Sequence, residues 1–172
     1  YNSKKSGFDA VKFQKRDIES VYTKEELDTP RESPFGTTTR EQKEGIEFSI
    51  EQYKELEKFS KEQGLEFIVS CWDKVSLDLV EEHLDVKYHK VASALATDKT
   101  FLQKLNDTKK PIILSVGMCT QEEVDAAVDI LDNVEYILAC TSTYPTKAEE
   151  LNLKYIHTLK ENYPNIKIGF SN

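Results

Sequence analysis

The 172-residue sequence predicts an α/β fold built on a parallel sheet. Short β-branched runs recur along the chain, and each is followed by a stretch with helical periodicity. The runs are mostly apolar rather than alternating, as expected of strands covered on both faces. Strand and helix alternate from end to end, which is the pattern of βαβ units.

Taken in order, the first strand is expected at residues 10–14. The next 33 residues, 16–48, form a connection far longer than the 2–6 residues of an ordinary βα loop. This stretch carries the turn-rich run Thr29-Pro30-Arg31-Glu32-Ser33-Pro34-Phe35-Gly36. In an α/β barrel such an excursion sits at the C-terminal face, where active sites are built; the plainer alternative is a charged surface insertion. Ser49-Ile50-Glu51-Gln52 reads as a capping box that opens a helix ending near Gly64, and Thr120-Gln121-Glu122-Glu123 as a second, opening a helix to about Leu131. Further strands are expected at 66–72, 88–93, 111–117, 136–143 and 167–171. Helices are expected at about 76–83, 99–105 and 147–162.

Composition narrows the classes of function. Charged residues make up 31% and apolar ones 38%, but eight Phe, eight Tyr and one Trp argue for a packed chain rather than a disordered one. The net charge of −8 works against non-specific nucleic-acid binding, which needs basic surface. No apolar run approaches the ~20 residues of a membrane-spanning helix, so a membrane partner is not expected. Cys71, Cys119 and Cys140 are odd in number and far apart. They fit neither a disulfide framework nor a CxxC site and predict a reducing, cytoplasmic setting. The chain opens on Tyr1 and stops in Gly169-Phe170-Ser171-Asn172, and both ends read as cut from something longer.

Chemistry gathers at the strand ends. Lys12 and Gln14 share parity and so point away from Val11 and Phe13. Ser70 lies near the end of the second strand. Lys90 and Ser93 belong to the third and Ser115 to the fourth. The fifth finishes Cys140-Thr141-Ser142-Thr143-Tyr144-Pro145, and the sixth ends at Ser171. Five of the six strands therefore end in a hydroxyl and two carry a lysine, a set that suits a phosphate or carboxylate. Lysine supplies point charge, hydroxyls supply adaptable donors, and helix N-termini add positive dipole ends. Other candidates are weaker. His83, His89 and His157 match no metal spacing, Cys140 reads as a small apolar filler, and there is no GxGxxG, Walker loop or GxSxG.

Four runs in register resemble one family. Asp9-Ala10-Val11-Lys12-Phe13-Gln14, Tyr88-His89-Lys90-Val91-Ala92-Ser93, Pro111-Ile112-Ile113-Leu114-Ser115-Val116-Gly117-Met118 and Ser142-Thr143-Tyr144-Pro145-Thr146 closely resemble the sialic acid synthases, which include N-acetylneuraminate, legionaminate and pseudaminate synthases. The resemblance implies a TIM (β/α)8 barrel, present here as about strands 2 to 7, with a first strand, an eighth strand and a C-terminal antifreeze-like domain lying outside the sequence. It implies a transferase of carbohydrate biosynthesis that condenses phosphoenolpyruvate with an N-acetylmannosamine-like amino sugar. By matching position, Lys12 would hold the phosphoenolpyruvate carboxylate. Ser70, Lys90, Ser93, Ser115 and Ser171 would cradle its phosphate, and Gln14, Ser142 and Tyr144 would line the sugar side. A divalent metal, Mn or Mg, is implied with ligands outside this chain, as is a homodimer for the intact protein.

The sequence departs from that pattern in three places. The family's proton-transfer acid falls at Leu95, which leaves the catalytic acid without a residue. Ala139 stands where the family tends to have His, and the family's metal-binding histidines fall beyond Asn172. Without a first and an eighth strand the barrel that the resemblance implies cannot close, and the 172 residues alone are expected to be inactive. Two alternatives stay open: another aldolase-type barrel enzyme, in which Lys90 could form a Schiff base, and a non-catalytic sugar- or anion-binding barrel.

Overall fold

A computed structural model describes residues 1–171. The chain divides into two compact units, the first Tyr1–Val86 and the second running from Lys87 onward.

In the first unit a short helix α1 (Asn2–Lys5) precedes strand β1 (Ala10–Lys15). Helices α2 (Ile18–Val21) and α3 (Lys24–Leu27), hairpin strands β2 (Pro30–Ser33) and β3 (Gly36–Thr38), and helix α4 (Thr39–Ile46) follow. Then come α5 (Ile50–Glu62), β4 (Glu66–Cys71) and α6 (Lys74–His83). Strands β1 and β4 pair in parallel from Ala10 opposite Glu66 to Lys15 opposite Cys71. The connection expected to be a long loop is thus filled with its own structure. Thr23 and Thr38 each close a capping box, with Glu26 and Glu41, at the starts of α3 and α4.

The capping box at Ser49 is formed, Gln52 N donating to Ser49 Oγ at 3.3 Å and Ser49 N to Gln52 Oε1 at 2.8 Å. The other end of α5 is closed by Gly64, whose φ of +68° only glycine takes up without strain. Leu65 N reaches back to Ser60 O and Gly64 N to Lys61 O, the paired bonds of a Schellman ending. Phe13 meets the rings of Phe48, Tyr53 and Phe67, so odd positions of β1 face the helix layer. The Tyr53 hydroxyl donates to the main-chain carbonyl of Gln14 at 2.5 Å and ties α5 to the end of the strand.

The second unit contains β5 (His89–Val91), a 3₁₀ turn (Ser93–Leu95), α7 (Lys99–Asp107), β6 (Ile112–Ser115) and α8 (Gln121–Ile130). It continues with β7 (Val134–Cys140), a second 3₁₀ turn (Ala148–Glu150), α9 (Tyr155–Asn162) and β8 (Lys167–Ser171). β5, β6, β7 and β8 pair in that order, all parallel. The helix expected over 147–162 is split in two, the 3₁₀ turn and α9, and the strands expected at 88–93, 111–117 and 136–143 are shorter than their apolar runs. Their last residues leave the ladder to form the strand-end turns. One face of this sheet is sealed: Val91, Ile112, Leu114, Ile137 and Ala139 are all buried, with His89 among them.

Among the described residues no helix is long and apolar enough to cross a membrane. Leu114, fully buried on β6, is the natural test of the sealed face. Leu114→Ala is expected to cost about 2–5 kcal/mol, read as a lowered urea midpoint with an unchanged slope. A midpoint equal to wild type would place position 114 outside the core.

Candidate functional site

Parallel register decides which side chains share a face. In the first unit Gln14 stands opposite Ser70 and Lys12 opposite Ile68, so Lys12, Gln14 and Ser70 lie together on the face of β1 and β4 away from Phe13 and α5. Ser70 is buried there, whereas Lys12 and Gln14 are exposed. Crowding by neighbouring protein atoms, and secondarily the charge of Arg16, holds the Lys12 ammonium below the ordinary lysine range.

In the second unit Lys90 stands opposite Ile113, and Ser115, two residues on, takes the same side. The Lys90 Nζ donates to Ser115 Oγ at 2.6 Å and to the Val91 carbonyl at 2.6 Å. Lys90 is only 9% exposed, so its charge is held almost out of water. Ser115 pairs with Leu138 and Cys140 with Ser171, which brings the end of β8 onto the same face.

Around these residues a second group converges on Gly117. Its N–H donates to Ser93 Oγ at 2.9 Å, and Ser93 Oγ lies 3.0 Å from Cys140 Sγ. A Cβ at position 117 would stand 2.3 Å from Cys140 Sγ and 2.7 Å from Ser142 Oγ, so glycine is required by close approach. The structure therefore gathers Lys90, Ser93, Ser115, Ser142 and Ser171 at adjoining strand ends of one unit, and Lys12, Gln14 and Ser70 on one face of the other. Tyr144 stands apart, 81% exposed on the segment after β7.

Two residues of this site escape sequence reasoning. Cys140 is not an inert filler, because its thiol shares a hydrogen bond with Ser93. Gly117 stands in the expected strand 111–117 and in the run that carries the family resemblance, with no role of its own read from the sequence. The signal for both was spacing from the serines, but the pairing of β6 with β7 needed to read it is a tertiary fact. Leu95, where the resemblance puts an acid, ends the 3₁₀ turn and is half-buried. Among the described residues no group of three His, Cys, Asp or Glu could hold a metal ion. The polar groups gathered here are lysine ammonium groups, serine hydroxyls and the Gly117 N–H.

Comparison with known proteins bears on the family and the fold. A family profile described as the NeuB family matches residues 1–172. Human N-acetylneuraminate-9-phosphate synthase is 33% identical over 174 residues, covering 98% of this chain and 48% of that protein. The N,N'-diacetyllegionaminic acid synthase of Legionella pneumophila is 32% identical over 182 residues, covering 99% and 51%. Among solved structures, the N-acetylneuraminic acid synthetase of Leptospira borgpetersenii in complex with citrate superposes with a TM-score of 0.78 at 26% identity, covering 95% of this chain and 54% of that one. The chain spans about half the length of the curated relatives it matches.

Gly117→Ala tests the close approach. The added methyl must displace Cys140 or Ser142, an overpacking cost of about 1–3 kcal/mol. A crystal structure of the variant is expected to show the Ser93 contact broken. An unchanged melting temperature with that contact intact would contradict the geometry.

Proposed function

The chain belongs to the NeuB family, and from that premise we propose that it is part of a synthase that joins phosphoenolpyruvate to an N-acylated amino sugar of the N-acetylmannosamine type. Its fold is accordingly that of the family's α/β barrel, here in part. The reaction forms a bond between carbon 3 of phosphoenolpyruvate and the open-chain aldehyde carbon. Water adds at carbon 2, the carbon–oxygen bond to phosphate breaks, and a nonulosonate and inorganic phosphate result.

The observation that supports this reading best is the Lys90 cluster. An almost buried ammonium, held by Ser115 with Ser93 and Gly117 N–H alongside, is suited to a phosphate that must be bound and then released. In this reading Lys90, Ser93, Ser115, Ser70 and Ser171 bind the phosphate and Lys12 the carboxylate. Gln14, Ser142 and Tyr144 take the sugar side. A divalent metal, Mn or Mg, is the cofactor the family resemblance implies, with ligands outside these residues. A homodimer of the intact protein belongs to the same reading.

The test uses the full-length protein with phosphoenolpyruvate, N-acetylmannosamine and Mn²⁺, followed by phosphate release and mass of the sugar product. A product heavier than the sugar by the elements of pyruvic acid, with one phosphate per turnover, is expected. Binding of both substrates without turnover would favour a non-catalytic barrel. Covalent trapping of a keto acid on Lys90 by borohydride would favour a Schiff-base aldolase.

Three outcomes are expected of the active protein. Lys90→Met raises the KM for phosphoenolpyruvate about tenfold or more and leaves that for the sugar nearly unchanged. An unaltered KM for phosphoenolpyruvate would remove Lys90 from the phosphate site. Lys12 binds an anion only as the ammonium, and its pKa in the free site is lowered. The KM for phosphoenolpyruvate should therefore rise with pH before the ordinary lysine value of 10.5 is reached. A profile flat to that pH would exclude Lys12 from the carboxylate. Leu95→Glu, which restores the family's acid, is expected to raise kcat about 10²-fold, the scale of one general acid–base group. No gain would show that another residue moves the proton.

A further inference from the structure

Beyond the end of β1 the same-face series Lys12, Gln14 continues to Arg16, two residues on. Arg16 is held from two sides. Its guanidinium carbon lies 4.3 Å from the centre of the Trp72 ring, a stacking arrangement that suits a planar cation. On the other side Glu47 Oε2 accepts from Arg16 N at 3.3 Å and from Lys15 Nζ at 3.4 Å, and its Oε1 lies 3.8 Å from Arg16 Nη1. The Arg16 side chain is 18% exposed and that of Glu47 13%.

So held, Arg16 directs Nη2 at Gln14, donating to Gln14 Oε1 at 2.6 Å. A guanidinium has five N–H donors and no acceptor. The Gln14 carboxamide can therefore meet it only through oxygen, and the orientation of the amide follows from chemistry. With Oε1 taken, the Nε2 amino group is turned away from Arg16 on an exposed side chain. The backbone beneath is fixed independently by the Tyr53 hydroxyl on the Gln14 carbonyl.

Resting on the reading of Gln14 as a sugar-side residue, we propose that Arg16 is a positioning residue that locks the Gln14 carboxamide with its amino group toward the sugar, so that this subsite selects an oxygen acceptor, a hydroxyl or the acyl carbonyl. Without Arg16 the amide rotates freely between two nearly isosteric orientations, and only one of them presents a donor.

The experiment is titration calorimetry of the full-length protein with N-acetylmannosamine in the Gln14 and Arg16 double-mutant cycle. Arg16→Met is expected to weaken sugar binding about tenfold, with phosphoenolpyruvate affinity changed less. Arg16→Lys, which still donates, is expected to recover most of the loss. Arg16→Glu accepts from Nε2, inverts the amide and weakens binding more than Arg16→Met does. In the Gln14→Ala background Arg16→Met is expected to change sugar affinity less than twofold. Equal losses in both backgrounds, or no loss in either, would overturn the positioning role. Gln14→Ala that binds the sugar as wild type does would instead overturn the assignment of Gln14 to the sugar side. Melting temperatures separate unfolding from loss of binding. If Arg16→Met is unstable, the comparison of Arg16→Lys with Arg16→Glu decides, and equal affinity in those two variants would refute the proposal.

Discussion

A slip of one residue between β1 and β4 would turn Lys12 and Gln14 into the helix layer and push Val11 and Phe13 out of it. Register within each parallel pairing is therefore the constraint on which the candidate site rests. It is enforced from the apolar side. Phe13 is enclosed by Phe48, Tyr53 and Phe67, and in the second unit Val91, Ile112, Leu114, Ile137 and Ala139 are buried together on one face. Packing on one face thus fixes the chemistry on the other, though the two share no side chain.

The two lysines are held under different conditions. Lys90 is nearly withdrawn from water, where an ammonium is costly unless oxygens surround it. The Ser115 hydroxyl and the Val91 carbonyl supply two of those oxygens. Lys12 is exposed but crowded, and it feels the like charge of Arg16. Withdrawal from water thus acts on both lysines, and like-charge proximity adds to it at Lys12.

How far the sequence could be read follows from the range of each interaction. The capping boxes at Ser49 and Thr120 are local, four residues long, and both helices begin where those residues say. β8 spans residues 167–171 as its apolar run does. The shared face of Lys12 and Gln14 was legible from parity, since alternation needs no knowledge of partners, whereas that of Lys90 and Ser115 needed the pairing of β5 with β6. Nor was the stretch 16–48 legible. Helices of four residues have no periodicity to detect, and the Thr23 and Thr38 boxes sit among so many polar residues that they do not stand out. The helix expected from 147 broke for a related reason. Glu150 turns back to accept from Lys147 N and Thr143 Oγ1, which closes a short turn instead of extending a helix. The Ser93–Cys140 contact and the Arg16–Trp72 stack join residues 47 and 56 positions apart, and no local pattern announces either.

The grip of Tyr53 on position 14 reaches the main-chain carbonyl and takes no account of the side chain that position carries. That separation bears on evolvability. A scaffold that anchors a site residue by its backbone can exchange the residue without losing the anchor, and a lineage can sample new chemistry at one strand end while the hydrophobic layer behind it stays as it was. Glutamine at position 14 is then one occupant of a standing socket whose anchor belongs to the main chain.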